Sequence, residues 1–369
     1  MEYEVRLLDA AENEKTKSLY QRVFQEDSTE FVEYYYRYKV RENRIYVAEG
    51  KDGEALSMLH LNPYLMRLGT RDVFGEYIVA VATDEKYRRQ GMMRRLMETA
   101  LEDMRRIGEP FAFLMPADEK LYRPFDFVFI YRQNRGEIYV KDFLGQPCLE
   151  CRKAGKQDIP SLAEFSNAYL KRNYRTFAFH TEEYFETLLE EQKCQGGDVA
   201  LLCSRGRIRG YFFTAFEEGA EVRELVVEEG CETFVLPALA HYLKEGGQVS
   251  FHGFSEDLME AQERKPMIMG RIVNPERFAP CLACDKPAEF VFGLTDDLLP
   301  QNTGIYRFYG DRTGGNLEKC NGKAPEFTLS IGEFTALSFG ERPPGISEEA
   351  VGAWENIRTC GPVFINEVV

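Results

Sequence analysis

The chain has 369 residues, 44% hydrophobic and 13% aromatic, with 46 basic against 61 acidic side chains and a formal charge of −15. That length exceeds one ordinary domain, so two or three are expected, each with enough apolar residues for a packed core. The acidic balance argues against a nucleic-acid partner, because phosphates need a basic footprint; it suits a small cationic ligand, and it serves plain solubility equally well. No run reaches the roughly 18 apolar residues of a membrane span, and Met1 to Arg6 lacks the basic start and apolar centre of a secretory leader. A cytoplasmic protein without a membrane partner is therefore expected.

In chain order, Tyr3 to Leu8 reads as a strand, and Asp9 can cap a helix whose apolar face is Leu19, Tyr20, Val23 and Phe24. A second, aromatic helix is expected from Thr29 to Val40. A hairpin follows, with strands Ile45 to Glu49 and Ala55 to Leu61 around Lys51-Asp52-Gly53. Tyr77 to Ala82 is an apolar, β-branched strand buried on both faces. A helix follows Gly91, then short strands at Phe111 to Met115 and Phe127 to Tyr131. This order gives a mixed sheet with helices on both faces.

Asp142 to Pro147 reads as a linker, and the next stretch repeats the pattern. Helices at Ile159 to Tyr169 and Thr181 to Glu190 precede a hairpin, Val199 to Cys203 and Gly210 to Phe216. Then come a strand at Val222 to Val227 and a helix at Val235 to Leu243. One fold is thus repeated at a period of about 150 residues. From Pro266 the texture changes: a strand at Met267 to Val273, then Phe- and Val-rich strands such as Glu289 to Leu294 and Gly304 to Tyr309. The apolar end, Val363-Phe364-Ile365, predicts a last segment packed inside the protein. The expected units are 1–146, 147–265 and 266–369, in an α/β (α+β) architecture.

Nine scattered cysteines read as reduced thiols. The pairs Cys148/Cys151 and Cys281/Cys284 have the spacing of a split zinc site but no glycine-bearing knuckle, and His60, His180, His241 and His252 form no metal spacing. No metal is expected.

The segment that carries chemistry is Val79 to Met93. A buried strand ends, the chain turns through Arg88, Arg89 and Gln90, and a helix starts after Gly91. Its apolar positions Met93, Leu96, Met97, Ala100, Leu101 and Met104 keep helical spacing as far as Gly108 and Pro110. Such a turn aims several backbone N–H groups at one spot, where the helix dipole favours a diphosphate. The strand around Val81, Ala82 and Thr83 can hydrogen-bond an amide-bearing arm.

Arg88-Arg89-Gln90-Gly91-Met92-Met93 resembles the phosphate loop of the GNAT acyltransferase superfamily, with Met93 departing from the usual glycine or alanine. The whole chain, with its tandem units, third unit and apolar end, resembles the enhanced-intracellular-survival family of acetyltransferases: tandem GNAT-type mixed-sheet domains followed by a sterol-carrier-protein-like domain. The last is suggested by Met267 to Val273 and Leu329 to Gly332. The resemblance implies acetyl-CoA as co-substrate and a homo-oligomer, a hexamer. It implies Tyr122, in Leu121-Tyr122-Arg123-Pro124-Phe125, as the general acid that protonates the departing thiolate. It also implies the C-terminal carboxylate, here that of Val369, as general base, with Glu76 as the rival. Cofactor contacts fall to Val81, Ala82, Thr83, Arg88, Arg89, Gln90, Gly91, Met92 and Met93.

The second unit has the acidic turn Glu228-Glu229-Gly230-Cys231-Glu232 where the first has arginines, so it is expected to keep the fold without the cofactor. The acceptor, a cationic amine of aminoglycoside or polyamine type, is expected between the units beside Glu26, Asp27, Tyr35 and Glu76. The alternatives are a protein-lysine acetyltransferase and a non-enzymatic CoA or lipid carrier.

Overall fold

The computed structural model describes residues 2–139, 143, 148–216, 219–243, 247–320 and 322–366. The first unit begins with β1 (Glu4–Leu7), a 3-10 segment (Ala10–Thr16) and α1 (Lys17–Val23). Asp9 caps the 3-10 segment, and its N–H donates to Glu12 at 3.3 Å. Ser28 caps α2 (Thr29–Tyr38) by accepting from the Phe31 N–H. Then come β2 (Arg44–Glu49), β3 (Ala55–Leu68), β4 (Arg71–Thr83), α3 (Met92–Ile107), β5 (Phe111–Leu114) and β6 (Val128–Tyr139).

The β3/β4 hairpin is longer than the residue pattern suggests, because it continues to a turn at Gly69 and Thr70. Gly69 has φ +55°, and a Cβ there would lie 2.0 Å from the Cys281 carbonyl oxygen. Only glycine lets the two chain segments meet so closely. Helix α3 buries Met92, Leu96, Met97, Ala100, Leu101 and Met104 on the sheet. Each large side chain contributes roughly 1.5–3 kcal/mol when taken from water.

The second unit contains β7 (Glu150–Lys153), α4 (Ile159–Asn173), β8 (Thr176–Ala178), α5 (Glu182–Cys194), β9 (Val199–Ser204), β10 (Arg207–Ala215), β11 (Ala220–Val227), α6 (Glu232–Leu243) and β12 (Gln248–Phe254). The repeat is visible at single-residue register. Met58 faces Ala82 and His60 faces Val79, which leaves Ala80 and Val81 opposite Leu59. Tyr211 faces Val226 and Phe213 faces Arg223, which leaves Glu224 and Leu225 opposite Phe212. Both are β-bulges, and both place a non-glycine residue at positive φ: Ala80 at +50° and Glu224 at +49°.

The chain continues with β13 (Glu263–Ile272), α7 (Pro275–Phe278), β14 (Ala283–Cys284), β15 (Ala288–Thr295), β16 (Gly304–Asp311), β17 (Gly314–Lys319) and β18 (Phe327–Ser330). It closes with α8 (Ile331–Ser338), α9 (Glu348–Trp354), β19 (Ile357–Arg358) and β20 (Val363–Phe364). Four strands, β17-β16-β15-β18, form a separate sheet.

The expected boundary at residue 266 is not respected. Strand β13 lies between β5 and β6 in one continuous sheet, β1-β2-β3-β4-β5-β13-β6-β12-β11-β10-β9-β7. Met267 to Ile272 thus belongs to the large sheet and not to the third unit. Its buried run, apolar except for Arg271, fits a strand covered on both faces. The end of the chain also returns: β20 runs parallel to β8, and β8 pairs with β3. Phe364 and Ile365 are buried, as the apolar tail predicts.

One apolar cluster runs from Met66 and Phe113 of the first unit to Phe292, Phe334 and Trp354 of the third. Within this contact a buried ion pair ties the pieces together. Arg271 of β13 donates to both oxygens of Asp296, at 2.7 and 2.8 Å, and to the Phe125 carbonyl at 2.7 Å. Asp296 also accepts from the Leu298 and Leu299 N–H groups and from Asn302. Removing one partner leaves an uncompensated buried charge. Arg271→Met should therefore lower stability by about 3–5 kcal/mol, read by denaturant unfolding. A loss below about 1 kcal/mol, the range of surface pairs, would show that the pair does not hold the units together.

Candidate active site

Strands β4 and β5 run parallel, but their pairing covers only Glu76/Ala112 and Tyr77/Phe113. Past Tyr77 the edge of β4, from Ile78 to Thr83, has no strand beside it on that side among the described residues. Unpaired N–H and C=O groups on a buried strand need partners. The second unit shows the same register closed: Ala220/Val249 and Glu221/Ser250 correspond to those two pairs, and pairing continues to Leu225/Phe254. Its strands have no opening for a ligand.

The open edge leads into the arginine-rich turn. Arg89 has φ +63° and Gly91, the N-cap of α3, has φ +79°. A Cβ at Gly91 would touch nothing within 4 Å, so glycine serves the backbone conformation rather than space. The first bond closing α3 is Arg95 N–H to Gly91 O at 3.0 Å. The N–H groups of Met92, Met93 and Arg94 stay outside the intrahelical ladder. This is a concave set of donors at a helix start, suited to a phosphate.

Neither Arg88 nor Arg89 has a carboxylate within 4 Å among the described residues, and the Arg88 Nε donates to the Thr83 carbonyl at 3.3 Å. Arg94, over the Phe125 ring, and Arg95 add two guanidinium groups that the sequence reading passed over, although they adjoin the motif. Met93 packs half-buried against the cluster under α3, which accommodates the departure from glycine or alanine. The corresponding turn of the second unit carries Glu228 and Glu229, paired with Arg209 and Arg172. It repels what the first turn attracts.

Tyr122 sits between two 3-10 turns, Glu119–Leu121 and Arg123–Phe125, and is 6% exposed. It shares an apolar cluster with Ile78, Leu114 and Met97, against which Val81 packs. The phenol therefore lies beside the parted strands. Burial pushes its pKa up to about 12, and its hydroxyl has no hydrogen-bond partner among the described residues. The Arg271 bond to the Phe125 carbonyl fixes the turn that carries it.

Glu76 is buried on the α3 side of the sheet, opposite Ala112, and not in a cavity. Arg44 reaches it at 3.0 Å and bridges to Glu109 at 2.8 Å. Burial raises its pKa to about 7, opposed by Arg44 and assisted by Glu109. Glu76 is an internal ion-pair residue, not an acceptor contact. The other acceptor expectations change as well. Glu26 is exposed, and Asp27 accepts from the Tyr20 hydroxyl at 2.7 Å. Tyr35 is fully buried, bonded to His60 at 2.9 Å and Asn43 at 3.3 Å. The polar ends of Asp27 and Tyr35 are spent inside the first unit.

The cavity that joins the units lies elsewhere. It measures about 180 Å³ and is walled by Tyr64, Gln133, Arg135, Glu191, Glu224 and Asn366, among others. Tyr64 meets the rings of Tyr77 and Phe113, the pair at which β4 and β5 last touch. These wall residues come from strands and helices far apart in sequence, so no local motif could have shown them. Asn366 closes one side, bonded to Tyr131 at 2.8 Å and Gln133 at 3.0 Å. Val369 lies outside the described residues.

The open strand edge, the cationic donor cradle at a helix start and the buried phenol all lie within residues 4–130. Residues 4–130 match the acetyltransferase (GNAT) domain family, and residues 277–349 match the sterol carrier protein domain family. No curated protein sequence matches the chain.

Solved structures share the fold. A probable N-acyltransferase from Enterococcus faecalis V583 has a TM-score of 0.78 at 16% identity, covering 97% of this chain and 94% of its own. A GCN5-related N-acetyltransferase from Kribbella flavida has a TM-score of 0.76 at 17% identity, covering 100% and 99%. Eis1 from Mycobacterium abscessus has a TM-score of 0.67 at 14% identity, covering 97% and 94%.

Two outcomes follow from this geometry. Arg88→Ala with Arg89→Ala should raise the KM for acetyl-CoA about tenfold or more, since a hydrogen bond to a charged group contributes roughly 1.5–3 kcal/mol; an unchanged KM would contradict the phosphate cradle. Glu76 has a folded pKa above its unfolded one, so its stabilising contribution is full below about pH 4.5 and lost as pH rises through about 7. Glu76→Gln lacks that loss. The melting temperature of the wild type relative to Glu76→Gln should fall across this window, and a constant difference would refute the assignment.

Proposed function

We propose that the protein transfers the acetyl group of acetyl-CoA to a primary amine held in the cavity between the first and second units. The observation that carries this reading is the parting of β4 from β5, repeated in register but closed in the second unit. Acetyl-CoA supplies the activated acyl carbon. The residues present fit it: backbone donors and arginines at the start of α3 suit its diphosphate, and the open edge Ile78–Thr83 suits its amide-bearing arm. Edge N–H groups near Val81 are placed to polarise an acyl oxygen, as an oxyanion hole does.

Tyr122 protonates the leaving thiolate. Burial keeps the phenol protonated at neutral pH, so its proton is available when the thiolate departs. The resemblance assigns the amine proton to the carboxylate of Val369. The run of Val363 to Asn366 into the cavity wall supports that assignment. A cavity of about 180 Å³ between the units suits a small molecule.

Tyr122→Phe should lower kcat by about 10²-fold or more, the range for lost acid catalysis, while acetyl-CoA still binds. The check is thiol release under saturating acetyl-CoA. A kcat within twofold of wild type would remove Tyr122 from the mechanism.

A further inference from the structure

The cavity between the units is lined by charges of both signs, Glu191, Glu221 and Glu224 against Lys39, Arg135, Arg223 and His252. Two of the carboxylates are buried, Glu224 at 3% and Glu191 at 7% exposed. The Tyr211 hydroxyl donates to Glu224 at 2.8 Å and the Tyr34 hydroxyl donates to Glu191 at 2.7 Å. Glu224 is the bulge residue at positive φ that corresponds to Ala80 of the first unit. The position that lies on the cofactor strand in one unit carries a buried carboxylate in the other. Backbone strain of this kind persists where the surroundings over-determine it, and it clusters at ligand sites.

Arg135, His252 and Arg223 lie side by side across β6, β12 and β11. Arg135 and His252 also line the shallow groove beside Gly136 and Ser250, so they mark the mouth. Arg223 is spent on Glu221 and Gln195, and His252 lies 3.8 Å from the same Glu221. Arg135 differs. It has no carboxylate within 4 Å among the described residues, and its Nε is buried without a partner. Burial pulls its pKa down, opposed by the nearby Glu263 and Glu221.

In the cavity wall, Gln133 and Gln192, 4% and 3% exposed, leave their amide oxygens unmatched among the described residues, and Asn366 leaves its Nδ2 unmatched. Buried polar groups are nearly always paired. Four unmatched atoms around one cavity point to a ligand that pairs them.

We propose that the acceptor is a small zwitterion, a primary amine that carries a carboxylate. Its ammonium end enters toward Glu224 and Glu191, and Arg135 binds its carboxylate at the mouth. This deepens the acetyl-transfer reading and rests on it. It departs from the polycationic acceptor that the net charge suggests, because a second ammonium would meet Arg135. Size agrees: a cavity of about 180 Å³ accommodates a molecule of amino-acid size. In the transfer, the C–N bond forms as the C–S bond breaks. Starting from the ammonium, nitrogen gives up two protons; the thiolate takes one and solvent the other.

The test is thiol release from acetyl-CoA with matched acceptors on the full-length protein: 4-aminobutyrate against butylamine, and lysine against cadaverine. The carboxylate-bearing member of each pair should show at least tenfold higher kcat/KM. Arg135→Gln should bring that ratio close to one through KM. If the variant does not fold, the wild-type pairs decide alone. Equal or better turnover of butylamine and cadaverine overturns the zwitterion and leaves acetyl transfer standing. If no amine releases thiol while calorimetry shows CoA bound, acetyl transfer itself falls, and this proposal with it.

Discussion

The backbone of β4 must find partners for its N–H and C=O groups, and past Tyr77 its parallel neighbour does not supply them. A local cause is visible. Pro116 stands two residues beyond Leu114, where the second unit has Gly253 within β12. Proline has no N–H to give a ladder and is excluded from central strands. Strand β5 is also bonded on its far side to β13, with Met269 opposite Leu114. Its carriage follows β13 rather than β4, and the segment after it turns off toward Tyr122. The gap is thus a built feature of the sheet, with the arginine-rich turn at one end of it.

The duplication shows what a shared fold does and does not fix. Both units keep the bulge, the positive φ at its first residue and the register of the first two parallel pairs. They differ in whether pairing continues and in the charge of the turn that follows. With pairing continued and acids in the turn, the second unit keeps a stable sheet and has no anion site. Its bulge residue is a glutamate that lines the cavity between the units. Fold and chemistry separate here at the level of single residues.

Much of this was legible in the sequence because it is local. The α3 periodicity, Gly91, the arginines before it and the apolar strand form one contiguous run, and the period near 150 residues compares with the 144 between Ala82 and Val226. What could not be read is what depends on long-range pairing. Nothing in Met267 to Ile272 says that it joins the large sheet rather than the unit that follows it. The extension of β3 to Leu68 depends on Gly69 meeting Cys281, 212 residues later. The same limit holds for the expected acceptor residues: Tyr35 looks available in sequence, yet His60 and Asn43 hold its hydroxyl, and Tyr20 holds one oxygen of Asp27. The cavity walls come from β3, β6, α5, β11, β12 and the residue after β20's neighbour Ile365, a set that only the tertiary fold assembles.

The third unit therefore acts on the site through structure as well as through Asn366 in the cavity wall. Its apolar side chains complete the cluster under β4 and β5, and its Asp296 holds Arg271. Arg271 in turn holds the carbonyl of Phe125, three residues from Tyr122. A buried arginine with two bonds to one carboxylate is geometrically restrictive, because its planar fork fits few arrangements. The phenol is consequently oriented by a chain of short, buried bonds that begins in the sterol carrier protein domain. The return of β20 along β8 places Asn366 against Tyr131 and Gln133 by the same logic. The arginine-rich turn and Tyr122 each belong to one short stretch of chain, the cavity is assembled from many, and the third unit packs against the sheet that carries them.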